Sequence, residues 1–347
     1  MKTKTLVWQA VERFPKATGD WQIYKSGAIN QSGESAVRSL ARRWYPAQAT
    51  LVATPTSDRF LPAICAPGLE AFTHENFLRR YRIIFYLVGL YFALVIGIIA
   101  LTNDPIRYGA VLVFLLVAFL YLLAEYRYVF LIYPILKDRA LFLHWLFSQH
   151  NRPLYVFAGI AVLAGILQLI YVLFLGDLDT LVIVAGTYFP RVESGQWWRY
   201  FSGPLIHSSV IHWLVNFSLL FLLIRMIGRL SNVALLFLIA LSLPLSAMAV
   251  HLFNPPGSID GFVGISGAVF CLFGWLGGLA IRERSFFPAH FALSVLLLAG
   301  VNLLLPELLG YNASFIAHIT GLVIGLISGA SGFASHLSDT QTQPSRG

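Results

Sequence analysis

The stretch Gly264-Ile265-Ser266-Gly267 stands at the start of one apolar run, and Ala317-His318 stands near the start of another, with the histidine 52 residues beyond the serine. Polar and ionisable side chains are costly inside a bilayer, so a histidine at that depth indicates a functional site with a nearby partner. We expect Ser266 to be the partner of His318.

The composition around these two runs is that of a polytopic membrane protein. Of the 347 residues, 57% are hydrophobic and 12% are charged, whereas about 25% of residues are charged in soluble proteins. Residues 1–80 carry charges throughout, so no signal peptide is expected. Two cysteines, Cys65 and Cys271, support neither a disulfide framework nor a thiolate metal site. We find no nucleic-acid-binding motif and expect no nucleic-acid partner, metal or cofactor.

Eight stretches have the roughly 20 apolar residues that a membrane span needs. They lie near residues 83–102, 109–130, 154–175, 210–227, 232–252, 262–281, 289–305 and 314–333. Residues 126–153 mix charged and apolar side chains and indicate an interfacial helix or loop. Residues 176–209 form a long connection of the kind that is usually functional or disordered.

The basic residues predict the topology. With a cytoplasmic N-terminus, 21 of the 24 Lys and Arg residues lie inside, and only Arg107, Arg191 and Arg199 lie outside. Because basic residues accumulate in cytoplasmic loops, both termini are predicted to be cytoplasmic.

In this topology the fourth, sixth and eighth spans all run from outside to inside. His212 and Asn216 lie in the first turns of the fourth span, Ser266 in those of the sixth, and His318 in those of the eighth. The four polar side chains therefore lie at similar depth, below the outer surface. His212 and Asn216 are four residues apart and project from one helix face.

Small residues favour close approach of the sixth and eighth spans. They recur every four residues, at Gly274 and Gly278 and at Ala317, Gly321 and Gly325. Small faces of this kind let helix backbones meet in a membrane. Gly264 and Gly267 leave the backbone around Ser266 open to a substrate chain.

These residues suit acyl transfer. A serine hydroxyl becomes a nucleophile when a neighbouring base takes its proton, and histidine is the usual base, so Ser266 and His318 fit these roles. The backbone N–H of Ser266, together with His212 and Asn216, could donate hydrogen bonds to the oxyanion that develops.

The C-terminal half resembles the rhomboid family of intramembrane serine proteases. The motifs that carry the resemblance occur in the family's order over roughly residues 154–333: Trp198-Arg199-Tyr200-Phe201, His207, His212 with Asn216, GISG at 264–267 and AHITGLVIG at 317–325. The resemblance implies that Ser266 is the nucleophile and His318 the general base, without an acidic third member. It also implies an oxyanion hole made of His212, Asn216 and the Ser266 amide.

The resemblance assigns structural positions near the site as well. Trp198 and Arg199 would belong to a first loop that is partly embedded in the membrane, and His207 would lie beside the site without a catalytic role. Many members carry a tyrosine against the catalytic histidine where this chain has Phe270. Phenylalanine keeps the stacking ring and loses the hydroxyl, so His318 would be oriented less tightly.

The sequence thus predicts an all-α polytopic membrane protein. A six-span rhomboid-like catalytic core (154–333) would follow two additional spans with a linker (81–153) and a cytoplasmic N-terminal region of unknown fold (1–80), and would precede a polar cytoplasmic tail (334–347). Within 1–80, an amphipathic stretch at 34–45 and an apolar run at 49–53 suggest a small domain, whose basic character also suits anionic lipid headgroups. The oligomeric state stays open.

The function expected is cleavage of transmembrane protein substrates near the outer face of a bacterial inner membrane, with the site open to the outside. One alternative is a non-catalytic rhomboid-like protein that binds membrane clients, although such relatives typically lack the serine or the histidine. A second is a transporter, but we see no inverted repeat between the halves. The absence of an HExxH motif and of paired intramembrane aspartates disfavours other protease classes.

Overall fold

The computed structural model is mostly helical. It describes residues 6–25, 27–42, 50–102, 112, 115–117, 119–127, 133–148, 152–254, 260–308 and 315–335. The chain divides into two compact units, the first centred on Met1–Gln149 and the second on His150–Pro306 with Tyr311–Asp339.

The first unit begins with a small antiparallel sheet. Strands β1 (Gln22–Lys25), β2 (Ala28–Gln31) and β3 (Thr50–Ala53) are arranged in the order β2-β1-β3. Gly27, in the turn between β1 and β2, has a φ of +87°, a conformation that glycine adopts without strain. The all-α prediction was therefore wrong for this region, because four-residue strands leave too short a pattern to stand out in a hydropathy reading.

The helices of the first unit are α1 (Glu34–Ala41), α2 (Glu70–Thr102) and α3 (Tyr133–Phe147). The amphipathic stretch at 34–45 forms α1 as far as residue 41, and residues 43–49 lie outside the described part. Helix α2 begins 13 residues before the predicted span because its first turns are charged and amphipathic rather than apolar. The second predicted span is described only at residues 112, 115–117 and 119–127, all of them helical.

The second unit contains the remaining helices. They are α4 (Arg152–Phe174), α5 (Leu178–Ala185), α6 (Phe189–Glu193), α7 (Arg199–Ser202), α8 (Val210–Leu230), α9 (Asn232–Phe253), α10 (Ser266–Arg282), α11 (Phe291–Leu308) and α12 (Phe315–Ala330). Serine side chains cap two of them, since Ser209 accepts from the His212 N–H and Ser231 from the Ala234 N–H, both at 3.1 Å.

Helix lengths agree with several spans. Four described helices are long and apolar enough to cross a membrane: Glu70–Leu101, Leu154–Phe174, His212–Leu230 and Asn232–Phe253. Three shorter apolar helices are Ser266–Arg282, Phe291–Leu303 and Phe315–Ala330. The sixth span was expected from residue 262, but Gly261–Phe262 forms a short strand and α10 starts only at Ser266.

Helices α10 and α12 form the most extensive helix contact among the described residues. A Cβ atom placed on Gly321, Gly325 or Gly329 of α12 would collide with a backbone carbonyl of α10, and Gly274 and Gly278 meet α12 backbone in the same way. The predicted small faces are therefore in contact, extended by Gly329, and the two backbones touch with no side chain between them.

Candidate active site

Ser266 and His318 are in hydrogen-bond contact. Ser266 is the first residue of α10 and His318 lies in the first turn of α12, and the serine Oγ is 2.8 Å from the histidine Nε2. Both residues are buried, with 6% and 4% of their surfaces exposed. For Nε2 to accept the serine proton, the imidazole must carry its own proton on Nδ1.

The ring of Phe270 lies against the imidazole of His318. Their centroids are 4.5 Å apart and the ring planes are inclined by 26°, so the rings are stacked. Phe270 is one helical turn after Ser266 on α10 and thus reaches the histidine from the same helix as the serine. The stack restricts rotation of the imidazole, although the Phe270 ring has no hydroxyl group that could form a hydrogen bond.

Gly264, two residues before Ser266, lies against His212 and Asn216 of α8. Its φ is +107°, and a Cβ atom at this position would lie 2.8 Å from His212 Cε1 and 3.9 Å from Asn216 Nδ2. Only glycine accommodates both the conformation and the contact. The GISG backbone therefore borders the His212 ring and the Asn216 amide.

The Asn216 amide is available as a donor. The residue is 5% exposed, and its Nδ2 has no hydrogen-bond partner among the described residues. The His212 Nδ1 is 3.0 Å from the Ser208 hydroxyl. This contact uses one ring nitrogen and leaves Nε2 for a different partner. Buried donors without partners are costly, and a ligand oxygen would satisfy them.

His207 lies fully buried beside His212. The two ring centroids are 5.2 Å apart in an edge-to-face arrangement, and neither His207 ring nitrogen has a hydrogen-bond partner in the described part of the chain. Its backbone is held by Gln168 of α4, whose amide donates to the His207 carbonyl at 2.6 Å and accepts from the His207 N–H at 3.1 Å. The sequence reading missed Gln168, although a lone glutamine within an apolar span was a visible signal.

Gly267 packs against a second residue that the sequence reading missed. A Cβ atom on Gly267 would collide with the Ser246 side chain of α9, and would lie 3.5 Å from the Ala317 carbonyl. The Ser246 hydroxyl is buried without a partner among the described residues. Gly267 thus keeps three helices close together next to the serine.

A family model described as "Rhomboid domain" matches residues 194–335. A "Rhomboid protease GlpG" of Haemophilus influenzae (strain ATCC 51907 / DSM 11121 / KW20 / Rd) is 32% identical over 149 residues, which are 41% of this chain and 74% of that protein. The chain belongs to the rhomboid family.

Two further rhomboid relatives carry the same name. The protein of Enterobacter sp. (strain 638) is 33% identical over 177 residues, 49% of this chain and 60% of the relative. That of Yersinia pestis (strain Pestoides F) is 34% identical over 169 residues, 46% of this chain and 56% of the relative. The chain therefore spans less than two thirds of the length of these two relatives.

The rhomboid match contains every site residue that the sequence predicted, from Trp198 to Gly321. With its long apolar helices, this rhomboid is a multi-pass membrane protein. No group of three or more His, Cys, Asp or Glu side chains is placed to hold a metal ion within the described ranges.

The long loop before α8 is ordered around Arg199. The Arg199 side chain donates to the Gly186 carbonyl at 2.9 Å and to the Gln196 Oε1 at 2.8 Å, and its guanidinium lies 4.7 Å from the Trp198 ring centroid. The Arg199 carbonyl accepts from the Thr187 hydroxyl at 2.9 Å. Burial lowers the pKa of Arg199, but a guanidinium titrates so far above neutrality that the side chain stays charged.

Two short strands connect this loop to the segment before the serine. Strand β4 (Thr187–Tyr188) pairs antiparallel with β5 (Gly261–Phe262), and the Phe189 N–H donates to the Asp260 carbonyl at 2.8 Å. The loop thereby fixes the chain three residues before Gly264. Trp198, by contrast, is 45% exposed and makes no described contact with the Ser266–His318 pair.

Proposed function

We propose that this rhomboid is an intramembrane serine endopeptidase that cleaves transmembrane segments of other proteins. The observation that carries the proposal is the 2.8 Å contact between the Ser266 hydroxyl and His318 Nε2, made by two buried residues on separate helices. Membership of the rhomboid family and the names of the relatives support the same reaction class.

In the first step, His318 Nε2 takes the proton from Ser266 Oγ as the oxygen attacks the carbonyl carbon of the scissile peptide bond. The C–O bond forms and the carbonyl π electrons move to the oxygen, which becomes a tetrahedral oxyanion. The backbone N–H of Ser266 lies in the first turn of α10, where helix N–H groups have no intrahelical partner. This N–H, Asn216 Nδ2 and the His212 side chain are the proposed donors to the oxyanion.

The intermediate then collapses. The C–N bond breaks, and the imidazolium of His318 gives its proton to the leaving amine, which leaves an acyl ester on Ser266. A water molecule loses a proton to His318 and attacks the ester carbon, and the second tetrahedral intermediate expels the Ser266 oxygen, which takes the proton back. The carboxylic acid product and the free amine complete the balance.

We also propose the arrangement in the membrane. Residues 154–333 would form a six-span catalytic core, preceded by two additional spans (81–153) and a cytoplasmic region (1–80), with residues 334–347 as a cytoplasmic tail. In a bacterial inner membrane, both termini would be cytoplasmic and the serine would lie near the outer face. This orientation is supported by the charge bias, since it leaves 21 of the 24 basic residues inside. Labelling of an Arg284→Cys variant from outside intact cells would contradict this topology.

The decisive experiment is cleavage of a model transmembrane substrate by the purified protein in liposomes. Ser266→Ala and His318→Ala should reduce cleavage to background, and a serine-reactive probe should label the wild type but not Ser266→Ala. Ser242→Ala is the matched control, since Ser242 is a buried serine on α9 whose hydroxyl donates to the Ile239 carbonyl.

The oxyanion donors are tested in the same assay. Loss of one donor typically costs about 10² to 10³ in kcat, so Asn216→Ala and His212→Ala should be impaired by that amount. Asn302→Ala is a suitable control because the Asn302 amide bonds to the Leu298 carbonyl within α11. Full cleavage by a folded Ser266→Ala protein would replace the peptidase proposal by a client-binding or transport function.

A further inference from the structure

Helix α2 carries a dense group of arginines where its sequence changes from charged to apolar. Arg79, Arg80 and Arg82 immediately precede residues 83–102, a stretch without a single charged side chain. At a rise of about 1.5 Å per residue, all three lie within roughly 6 Å of the start of that apolar stretch along the helix axis. If residues 83–102 occupy the hydrocarbon layer, the three guanidinium groups lie among the lipid headgroups.

Helix α1 adds two more arginines at this place. The Arg80 guanidinium donates to the Arg42 carbonyl at the end of α1. The guanidinium carbons of Arg38 and Arg42 lie 5.3 Å and 5.4 Å from the ring centroid of Phe72, so both side chains pack over one aromatic ring of α2. Two segments that are distant in sequence thus bring positive charges together around one level of α2. On this helix Arg79 lies on the same side as Phe72, which is seven residues before it, and Arg80 and Arg82 flank Arg79 on either side. We call the five residues the arginine surface (Arg38, Arg42, Arg79, Arg80 and Arg82).

Acidic residues leave most of this charge unneutralised. Arg38 forms an ion pair with Glu34 at 2.6 Å. Arg42, Arg79 and Arg82 are exposed and have no ion-pair partner in the described part of the chain. Holding several guanidinium groups together without counter-charges is unfavourable unless an anion shares the site.

We infer that the arginine surface binds the phosphate groups of anionic phospholipids in the leaflet next to the start of the apolar stretch 83–102. A guanidinium presents its N–H groups in a planar fork that matches phosphate oxygens, and it is more weakly hydrated than an ammonium group. The apolar stretch that follows Arg82 fixes the site beside headgroups, which favours a lipid over a free phosphate or an acidic peptide. The inference concerns the first unit and does not depend on the peptidase reaction.

Native mass spectrometry of the full-length protein tests this inference. The protein is titrated in detergent with phosphatidylglycerol, which carries one negative charge, or with phosphatidylcholine, which is neutral overall, and the lipids retained are counted. The wild type should retain phosphatidylglycerol preferentially. Arg42→Gln/Arg79→Gln should reduce this preference on the order of tenfold, since each basic residue near an anionic headgroup contributes several-fold to binding.

Two control variants separate the site from total charge. Lys16→Gln/Lys25→Gln removes two exposed charges from the same unit outside the arginine surface, and should keep the wild-type preference. Arg42→Lys/Arg79→Lys keeps the charge and should retain a weaker preference, because lysine lacks the planar fork. Equal preference in the Arg→Gln and Lys→Gln variants would overturn the inference. Loss of the preference in the presence of millimolar inorganic phosphate, at constant ionic strength, would likewise assign the surface to free phosphate instead of lipid.

Discussion

The side-chain amide of Gln168 makes two hydrogen bonds to the backbone of one residue, His207. This pairing joins α4 to the segment just before α8 and sets the position of the His207 ring, against which His212 packs. Gln168 is therefore a candidate positioning residue, two contacts away from the proposed oxyanion hole.

Gln168→Leu should lower kcat more than it changes KM. The substitution leaves the His207 N–H and carbonyl without partners at a cost of about 1–3 kcal/mol each, and relaxes the contact behind His212. Steady-state cleavage of a transmembrane substrate and a thermal melt measure the two effects. Gln168→Glu keeps one acceptor and should fall between Leu and wild type, so equal kcat values in all three proteins would remove Gln168 from the site.

Gly264→Ala should impair catalysis to an extent comparable with the loss of an oxyanion donor, about 10² to 10³ in kcat. The methyl group would displace His212 and would force a non-glycine residue into a positive-φ conformation, which costs about 1–2 kcal/mol. Gly300→Ala on α11 is the control, because a Cβ there meets nothing within 4 Å. Normal turnover by Gly264→Ala would show that catalysis does not depend on the position of His212 beside Gly264.

Phe270→Leu should reduce kcat by up to about tenfold and leave the dyad functional. The substitution removes a ring stack worth about 0.5–1.5 kcal/mol, which orients His318 without taking part in proton transfer. Phe273→Leu is the control for core destabilisation, since Phe273 is equally buried on the same helix. If both variants lose the same activity at matched thermal stability, the stack on the histidine has no specific role.

Gly325→Ala should destabilise the protein by about 1–3 kcal/mol, the usual cost of overpacking. The added methyl group meets the Cys271 carbonyl, and a backbone group cannot rotate away as a side chain can. Thermal melts in detergent compare it with Gly159→Ala on α4, where the added Cβ has open space and should cost little. A melt of Gly325→Ala identical to the wild type would mean that α10 and α12 separate readily.

Cys65 should react slowly with iodoacetamide in the native protein. Burial raises its pKa to about 12, and the nearby carboxylates of Asp138 and Glu70 raise it while Lys137 lowers it. Since the thiolate is the nucleophile, alkylation at pH 8 should be about a thousandfold slower than for an ordinary thiol, and should speed up as pH rises. Mass spectrometry of Cys271→Ala, in native buffer and in denaturant, measures the ratio, and equal rates in the two conditions would contradict the burial.

The sequence located the elements that local patterns define. The third, fourth and fifth spans agree with α4, α8 and α9 to within three residues at each end, because long, mostly apolar stretches define their length. Serine caps also mark the starts of α8 and α9. The contact of Ser266 with His318 was expected from shared depth and small-residue faces, and the structure brings the two side chains together.

Elements that depend on partners far along the chain could not be read in this way. The pairing of β4 with β5 involves two residues in each strand, and the partners Thr187 and Phe262 are 75 positions apart in the sequence. Neither two-residue strand has a strand-like pattern of its own. Ser246 is one of several polar residues in α9, and its place beside the GISG segment became visible only through its contact with Gly267. The charged first turns of α2 concealed a helix that extends well beyond its apolar part.

The direct contact of α10 with α12 also governs which sequence changes the protein can accept. On α12, positions 321, 325 and 329 face main-chain atoms and admit nothing larger than hydrogen, whereas Val323 and Ile327, between them, are exposed and face no such limit. Substitutions on α12 should therefore be excluded at these three glycines and tolerated at the exposed positions between them. The glycines keep the helix of the nucleophile and the helix of the base at a fixed separation, while the exposed positions can vary in sequence.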